Sequence, residues 1–94
     1  MRVVSEKVES IIPKEIKGIF RDEILQEEII DYLFDNFYIE LRPRPYRADF
    51  GRFLWCCEVN NWNKSEEYPK IFPSCKTKEE AVNDAIYYVF SELC

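Results

Sequence analysis

The run Phe53-Leu54-Trp55-Cys56-Cys57-Glu58-Val59 constrains this chain more than any other stretch, because six of its seven residues are apolar. In an extended strand successive side chains point to opposite faces, so Phe53, Trp55, Cys57 and Val59 share one face while Leu54, Cys56 and Glu58 share the other. Apolar residues on both faces predict a central strand, either covered on both sides or covered on one side and used in an interface on the other. The rest of the chain must supply its neighbours and its cover. At 94 residues there is room for one domain, 1–94, burying roughly 60–65% of the surface that its unfolded form exposes.

The neighbours are legible on either side of this run. Phe37, Ile39 and Leu41 alternate with Tyr38, Glu40 and Arg42, the period of a half-buried strand. Pro43 and Pro45 are expected to end that strand, since neither can donate to a ladder, and the chain resumes at Arg52. Asn60 to Glu67 is polar and turn-prone, and reads as a connection. Tyr68 to Cys75 reads as a short edge strand, where Pro69 and Pro73 are tolerated.

Helical periodicity supplies the cover. Val4, Val8, Ile11 and Ile12, with Ser5 as a cap, predict a short helix over 5–12, and Pro13 begins a second helical segment over 13–20 that carries Ile16, Ile19 and Phe20. A longer helix is predicted over 23–36, with Asp22 as N-cap and Glu23, Glu27 and Glu28 near its positive end. Leu25, Ile29, Tyr32 and Leu33 form one stripe of it, and Ile30 and Phe34 widen the apolar arc enough to require two packing partners. Thr77-Lys78-Glu79-Glu80 has the spacing of a capping box. It opens a helix over 78–93 whose stripe is Val82, Ala85, Ile86, Val89, Phe90 and Leu93. The expected fold is therefore α+β: a three-stranded, mainly antiparallel sheet with the 23–36 and 78–93 helices packed on it. The element order is α-β-β-β-α, preceded by short N-terminal helical segments.

The formal net charge of −5 argues against indiscriminate nucleic-acid binding, which depends on many bases displacing phosphate counterions. The charge is unevenly spread, and residues 37–62 alone are net positive, with three acids against four bases. Those bases lie in the bend Arg42-Pro43-Arg44-Pro45-Tyr46-Arg47-Ala48-Asp49-Phe50-Gly51-Arg52. Arginine forks bind phosphate or carboxylate, and interleaved aromatics stack on bases or fill pockets. Arg42, Arg44, Tyr46, Arg47, Phe50 and Arg52, together with Trp62, are thus the candidate contact residues. A blander reading has these arginines neutralising the protein's own acidic helices and keeping a strand edge soluble. Trp62, Tyr68 and Tyr87 join Tyr46 and Phe50 as aromatics off the core stripe, a composition typical of contact surfaces. A second charged feature, Glu23, Glu27, Glu28, Asp31 and Asp35, has the texture of a phosphate mimic, although such runs are mostly solvated faces.

Little in the sequence spells a reaction. His is absent, only two glycines are present, and no serine sits in a nucleophile motif. Cys56, Cys57, Cys75 and Cys94 contain no C-x2-C pair for zinc. No catalytic residue, metal or cofactor is expected, and the cysteines are expected to be buried thiols, a Cys57–Cys75 bridge being the alternative. Met1-Arg2-Val3-Val4 leads straight into Ser5-Glu6-Lys7, and no apolar run approaches the roughly 20 residues of a membrane span. The expectation is a cytoplasmic protein in a reducing compartment, without a membrane.

The order helix, three strands, helix over roughly 22–93 resembles that of double-stranded-RNA-binding domains. Ser74-Cys75-Lys76-Thr77-Lys78-Glu79-Glu80-Ala81 stands where that family begins its second helix. Where the family would carry a lysine cluster, this chain has Glu79, Glu80 and Asp84, so the resemblance is one of element order and transfers no binding residue. The same order suits small accessory proteins of the kind that phages and mobile elements carry. The function expected from the sequence is non-catalytic binding, through a protein partner or self-association. The alternatives are nucleic-acid binding through the 42–52 bend and an acidic inhibitor that mimics nucleic acid.

Overall fold

Strand β2, Phe53–Asn61, lies at the centre of a three-stranded antiparallel sheet of order β1-β2-β3, with β1 at Ile39–Arg47 and β3 at Lys70–Cys75. The computed structural model describes residues 4–20, 24–47, 51–67 and 70–93. Around the sheet stand helices α1 (Glu6–Ile11), α2 (Lys14–Lys17), α3 (Gln26–Phe37) and α4 (Lys78–Tyr88), in the expected α+β order.

Pro43 and Pro45 do not end β1. The strand runs through both, pairing Pro43 with Cys57 and Pro45 with Trp55. The reason lies in the parity of the ladder. The Trp62 N–H donates to the Tyr38 carbonyl at 3.0 Å, one step beyond the Ile39–Asn61 pair. The hydrogen-bonded pairs are therefore the even positions of β1, and its odd positions, both prolines among them, turn their nitrogens to the outer edge. A proline there forfeits no bond. Ahead of β2, Gly51 takes φ +75, a left-handed conformation that a side chain would strain.

The helices occupy one face. α4 lies across all three strands, and α3 packs beside it against β1. Ile39, Leu41, Cys57, Val59 and Cys75 from the sheet join Ile29 and Leu33 of α3 and Ala81, Val82, Ala85 and Ile86 of α4 in one core. The molecule is 18 Å along its shortest axis, which is room for a sheet and a single layer of helices about 10 Å away.

Each helix end has a local cause. Ser5 Oγ accepts from the Val8 N–H at 3.3 Å and starts α1. Thr77 Oγ1 accepts from the Glu80 N–H at 3.2 Å, the donor half of the expected capping box. α3 starts later than its sequence implies: Leu25, extended and without a side-chain cap, is the N-cap in place of Asp22. Tertiary contacts impose this. Val4 N–H donates to the Ile24 carbonyl at 2.9 Å, holding that segment extended, and the buried Gln26 amide donates to the Glu79 carbonyl at 2.9 Å. Asp22 and Glu23 lie outside the described residues.

The N-terminal segment belongs to the core. Val4, Val8 and Ile12 are buried, Ser5 N–H donates to Asn83 Oδ1 of α4 at 3.1 Å, and Lys7 Nζ sits 4.4 Å from the Tyr87 ring centroid. Phe20, after α2, meets Tyr32 of α3 edge-on at 5.8 Å. Two other segments differ from the expected pattern. Residues 62–67 form a kinked 3-10 turn instead of an irregular loop, with buried Asn61 Oδ1 accepting from the Asn63 N–H at 3.0 Å. The last helix ends its α-helical part at Tyr88 and continues as a π turn over Val89–Leu93, which keeps Val89 and Phe90 buried. Among the described residues no helix is long and apolar enough to cross a membrane.

Candidate functional site

Ladder parity sorts the sheet into a covered face and an open one. The open face carries Glu40, Arg42, Arg44 and Tyr46 from β1, Leu54, Cys56, Glu58 and Asn60 from β2, and Ile71 from β3. No helix among the described residues packs on it. Cys56 is 3% exposed yet stands outside the core cluster that holds its neighbour Cys57. It is buried within the open face itself, with its thiol 3.4 Å from the Arg44 carbonyl. Around it Arg44, Pro45, Tyr46 and Ile71 line a cleft of about 310 Å³. Ile71 remains 48% exposed, a large apolar side chain left in water at the rim.

The structure separates the arginines of the bend. Arg42 turns back on its own strand and meets Glu40 at 3.2 Å, beside Glu58 and Asn60. In that part of the face the guanidinium is already paired, and two carboxylates stand against one arginine. Arg44 lies one step along the same face at the cleft, and no carboxylate among the described residues pairs with it. Arg47 is exposed on the opposite parity, and Arg52 is exposed just before β2. Phe53, 66% exposed, stands beside them past the helical cover. Phe50 and Tyr68 lie outside the described residues. Trp62, 53% exposed, follows β2 at the end away from the bend, eight strand residues beyond Leu54. It neighbours exposed Tyr38 and Phe34, whose rings meet edge-on at 6.3 Å. Tyr87 is half-buried under Lys7. Tyr46, Arg44 and Arg42 thus share a surface, whereas Trp62 belongs to another.

The open-face residues that sequence reading did not select are Leu54, Cys56 and Ile71. Their signal was the alternation of the central run, which assigned Leu54 and Cys56 to one face without saying which face the helices would take.

Cys57 and Cys75 are held protonated. Burial, and next the adjacent Cys56, pushes the Cys57 thiol up from 9.0 to about 12. Burial, followed by the Cys75 hydrogen bond to Asp84 Oδ2 at 3.2 Å, pushes Cys75 up to about 11. Such thiols are poor nucleophiles at neutral pH. The folded state holds these protons more tightly than the unfolded one, so their contribution to stability is complete below pH 9 and is lost as pH rises toward 12. The urea midpoint should accordingly fall between about pH 8.5 and about pH 10.5, and fall less steeply in Cys57→Ala, which has no thiol to ionise. Equal slopes would contradict this. Among the described residues no cluster of three Cys, Asp or Glu side chains is arranged to hold a metal ion.

Both sheet edges carry prolines, Pro43 and Pro45 on β1 and Pro73 on β3. A proline facing outward removes a donor that an added strand would need, so strand addition at β1 lacks a donor at two of its five outward positions. Contact through the open face is not impeded in this way. Comparison of the chain with protein-family models, with curated proteins and with solved structures finds no match, and a functional reading rests on this face alone.

Proposed function

We propose that this chain is a non-catalytic binding protein that contacts another protein through the open face of its sheet. The observation that supports this most is the unequal treatment of β2. Its apolar residues point both ways, yet helices cover one side only, leaving Leu54 and Cys56 on the open face, where Cys56 lines a cleft with Tyr46 of β1 and Ile71 of β3. Exposed apolar surface of this kind, rimmed by polar residues, marks interaction sites. The protonated thiols of Cys57 and Cys75 agree with a binding role.

The test is partner recovery from the native host with wild-type protein and with Arg44→Glu/Ile71→Asp. Both substituted side chains are exposed, so the variant should fold as the wild type does, with an unchanged circular dichroism spectrum, and lose a stoichiometric partner or a dimer. A partner retained by the variant would refute the assignment.

One observation favours a second reading. Arg44, Arg47 and Arg52 have no carboxylate partner among the described residues, and Phe53 is exposed beside them. A single-stranded nucleic acid held by these three arginines would show a slope of log affinity on log salt of about −2. A flat salt dependence, or no binding at low salt, removes that reading.

A further inference from the structure

Resting on the face assigned above, we infer that the cleft at Arg44, Tyr46, Cys56 and Ile71 takes an apolar side chain flanked by a carboxylate, presented by an acidic segment of the partner protein. Three features of the cleft specify this occupant. Its volume of about 310 Å³ is at the lower limit for small-molecule sites and is enough for one large side chain. Its apolar lining on the open face is supplied by Cys56 and Ile71, with Pro45 bordering it. Its single charged lining residue is Arg44, and no carboxylate among the described residues meets that guanidinium.

Arg44 is well placed for the task. Its backbone belongs to a hydrogen-bonded position of the β1–β2 ladder, opposite Cys56, so the base of the side chain is fixed while its head is exposed. The guanidinium fork binds a carboxylate through two parallel bonds, a geometry that adds direction to charge. The contrast with Arg42 sharpens the assignment. Arg42 occupies an equivalent position one step along the same face but is occupied by Glu40 at 3.2 Å. Among the described residues of this face, Arg44 is thus the one arginine without a carboxylate partner, and it borders the apolar cleft.

Two other features of the surface carry less. The groove between α3 and β1, lined by Ile30, Asp31, Phe34, Asp35, Glu40 and Leu41, is acidic, but nothing packed near it points to an occupant. A dimer formed face to face about the middle of this face, with strand directions reversed, sets Arg42 of one copy against Arg44 of the other, an arrangement of like charges.

The test is an NMR titration of the full chain, following backbone amides, with acetyl-Glu-Phe-Asp-amide and its uncharged counterpart acetyl-Gln-Phe-Asn-amide. The acidic peptide should shift the amides of Arg44, Tyr46, Cys56 and Ile71 and bind at least fivefold more tightly than the uncharged one. Arg44→Gln should remove that preference while leaving the thermal midpoint unchanged, and Ile71→Ala should weaken both peptides together. Shifts elsewhere, no shifts, equal affinity for the two peptides, or a preference that survives Arg44→Gln would each overturn the assignment. So would an eight-residue oligothymidylate that shifts the same amides more strongly than the acidic peptide. If the peptides fail while Arg44→Glu/Ile71→Asp still abolishes partner recovery, the open face stands as the contact surface and only the acidic, apolar occupant is wrong.

Discussion

Ile86→Ala should lower the free energy of unfolding by about 3 kcal/mol, while Ile71→Ala should leave it within about 0.5 kcal/mol. The two isoleucines lose the same atoms but lie on opposite sides of the sheet. Ile86 is 0% exposed, at the contact of α4 with the covered face, and Ile71 is 48% exposed on the open one. Removing buried methyl groups loses their transfer energy and leaves a cavity that neighbours fill incompletely, whereas the exposed side chain has little of either to lose. For a domain of this size the first change corresponds to a drop in thermal midpoint of roughly 12–24 °C. Thermal or urea denaturation of the two variants checks the difference. Similar losses at both positions would mean that the open face is packed.

Val8→Asp is expected to be at least as damaging, costing about 4 kcal/mol, because it places an unpaired carboxylate where no solvent reaches. Val8 is 1% exposed and belongs to the same core as Ile86. Stability in a small domain is the narrow difference between large terms, so a loss of this size leaves much of the population unfolded. Lys7→Ala, at the adjacent exposed position, removes only the contact over the Tyr87 ring at 4.4 Å and should cost about 0.5–1 kcal/mol. Denaturation curves of the pair decide whether α1 is part of the fold or an appendage. A mild effect of Val8→Asp would show that α1 detaches without disturbing the core.

Much of this architecture was legible from residue pattern. The alternation through Phe53–Val59 announced a central strand, the Thr77–Glu80 spacing placed the start of α4, and Ser5 placed the start of α1. These are local signals, and local chemistry satisfied them. The failures came where tertiary contacts overrode local rules. Pro43 and Pro45 suggested a break, but edge position and odd parity make their missing donors irrelevant. Asp22 offered a cap, but Gln26 bonded to Glu79 and Ile24 bonded to Val4 set the start of α3 at a later residue.

The site was legible in outline only. Composition drew attention to the arginines as a group, yet their roles depend on which face each residue takes. Arg42 is held by Glu40, Arg44 borders the cleft, and Arg47 has the opposite parity. Trp62 was grouped with the bend by sequence proximity, whereas the antiparallel turn carries it to the far end of the ribbon. Ile71 had no distinguishing mark in the sequence, because its exposure follows from the pairing of β3 with Glu58.

Whether the open face of the sheet is the contact surface is decided by site-specific photocrosslinking. A benzoylphenylalanine placed at Ile71 on that face, and in a separate protein at exposed Glu28 on α3, would be irradiated in the native host. A discrete protein adduct is expected from position 71, diminished by Arg44→Glu, and none from position 28. An adduct from position 28 with none from position 71 would contradict it.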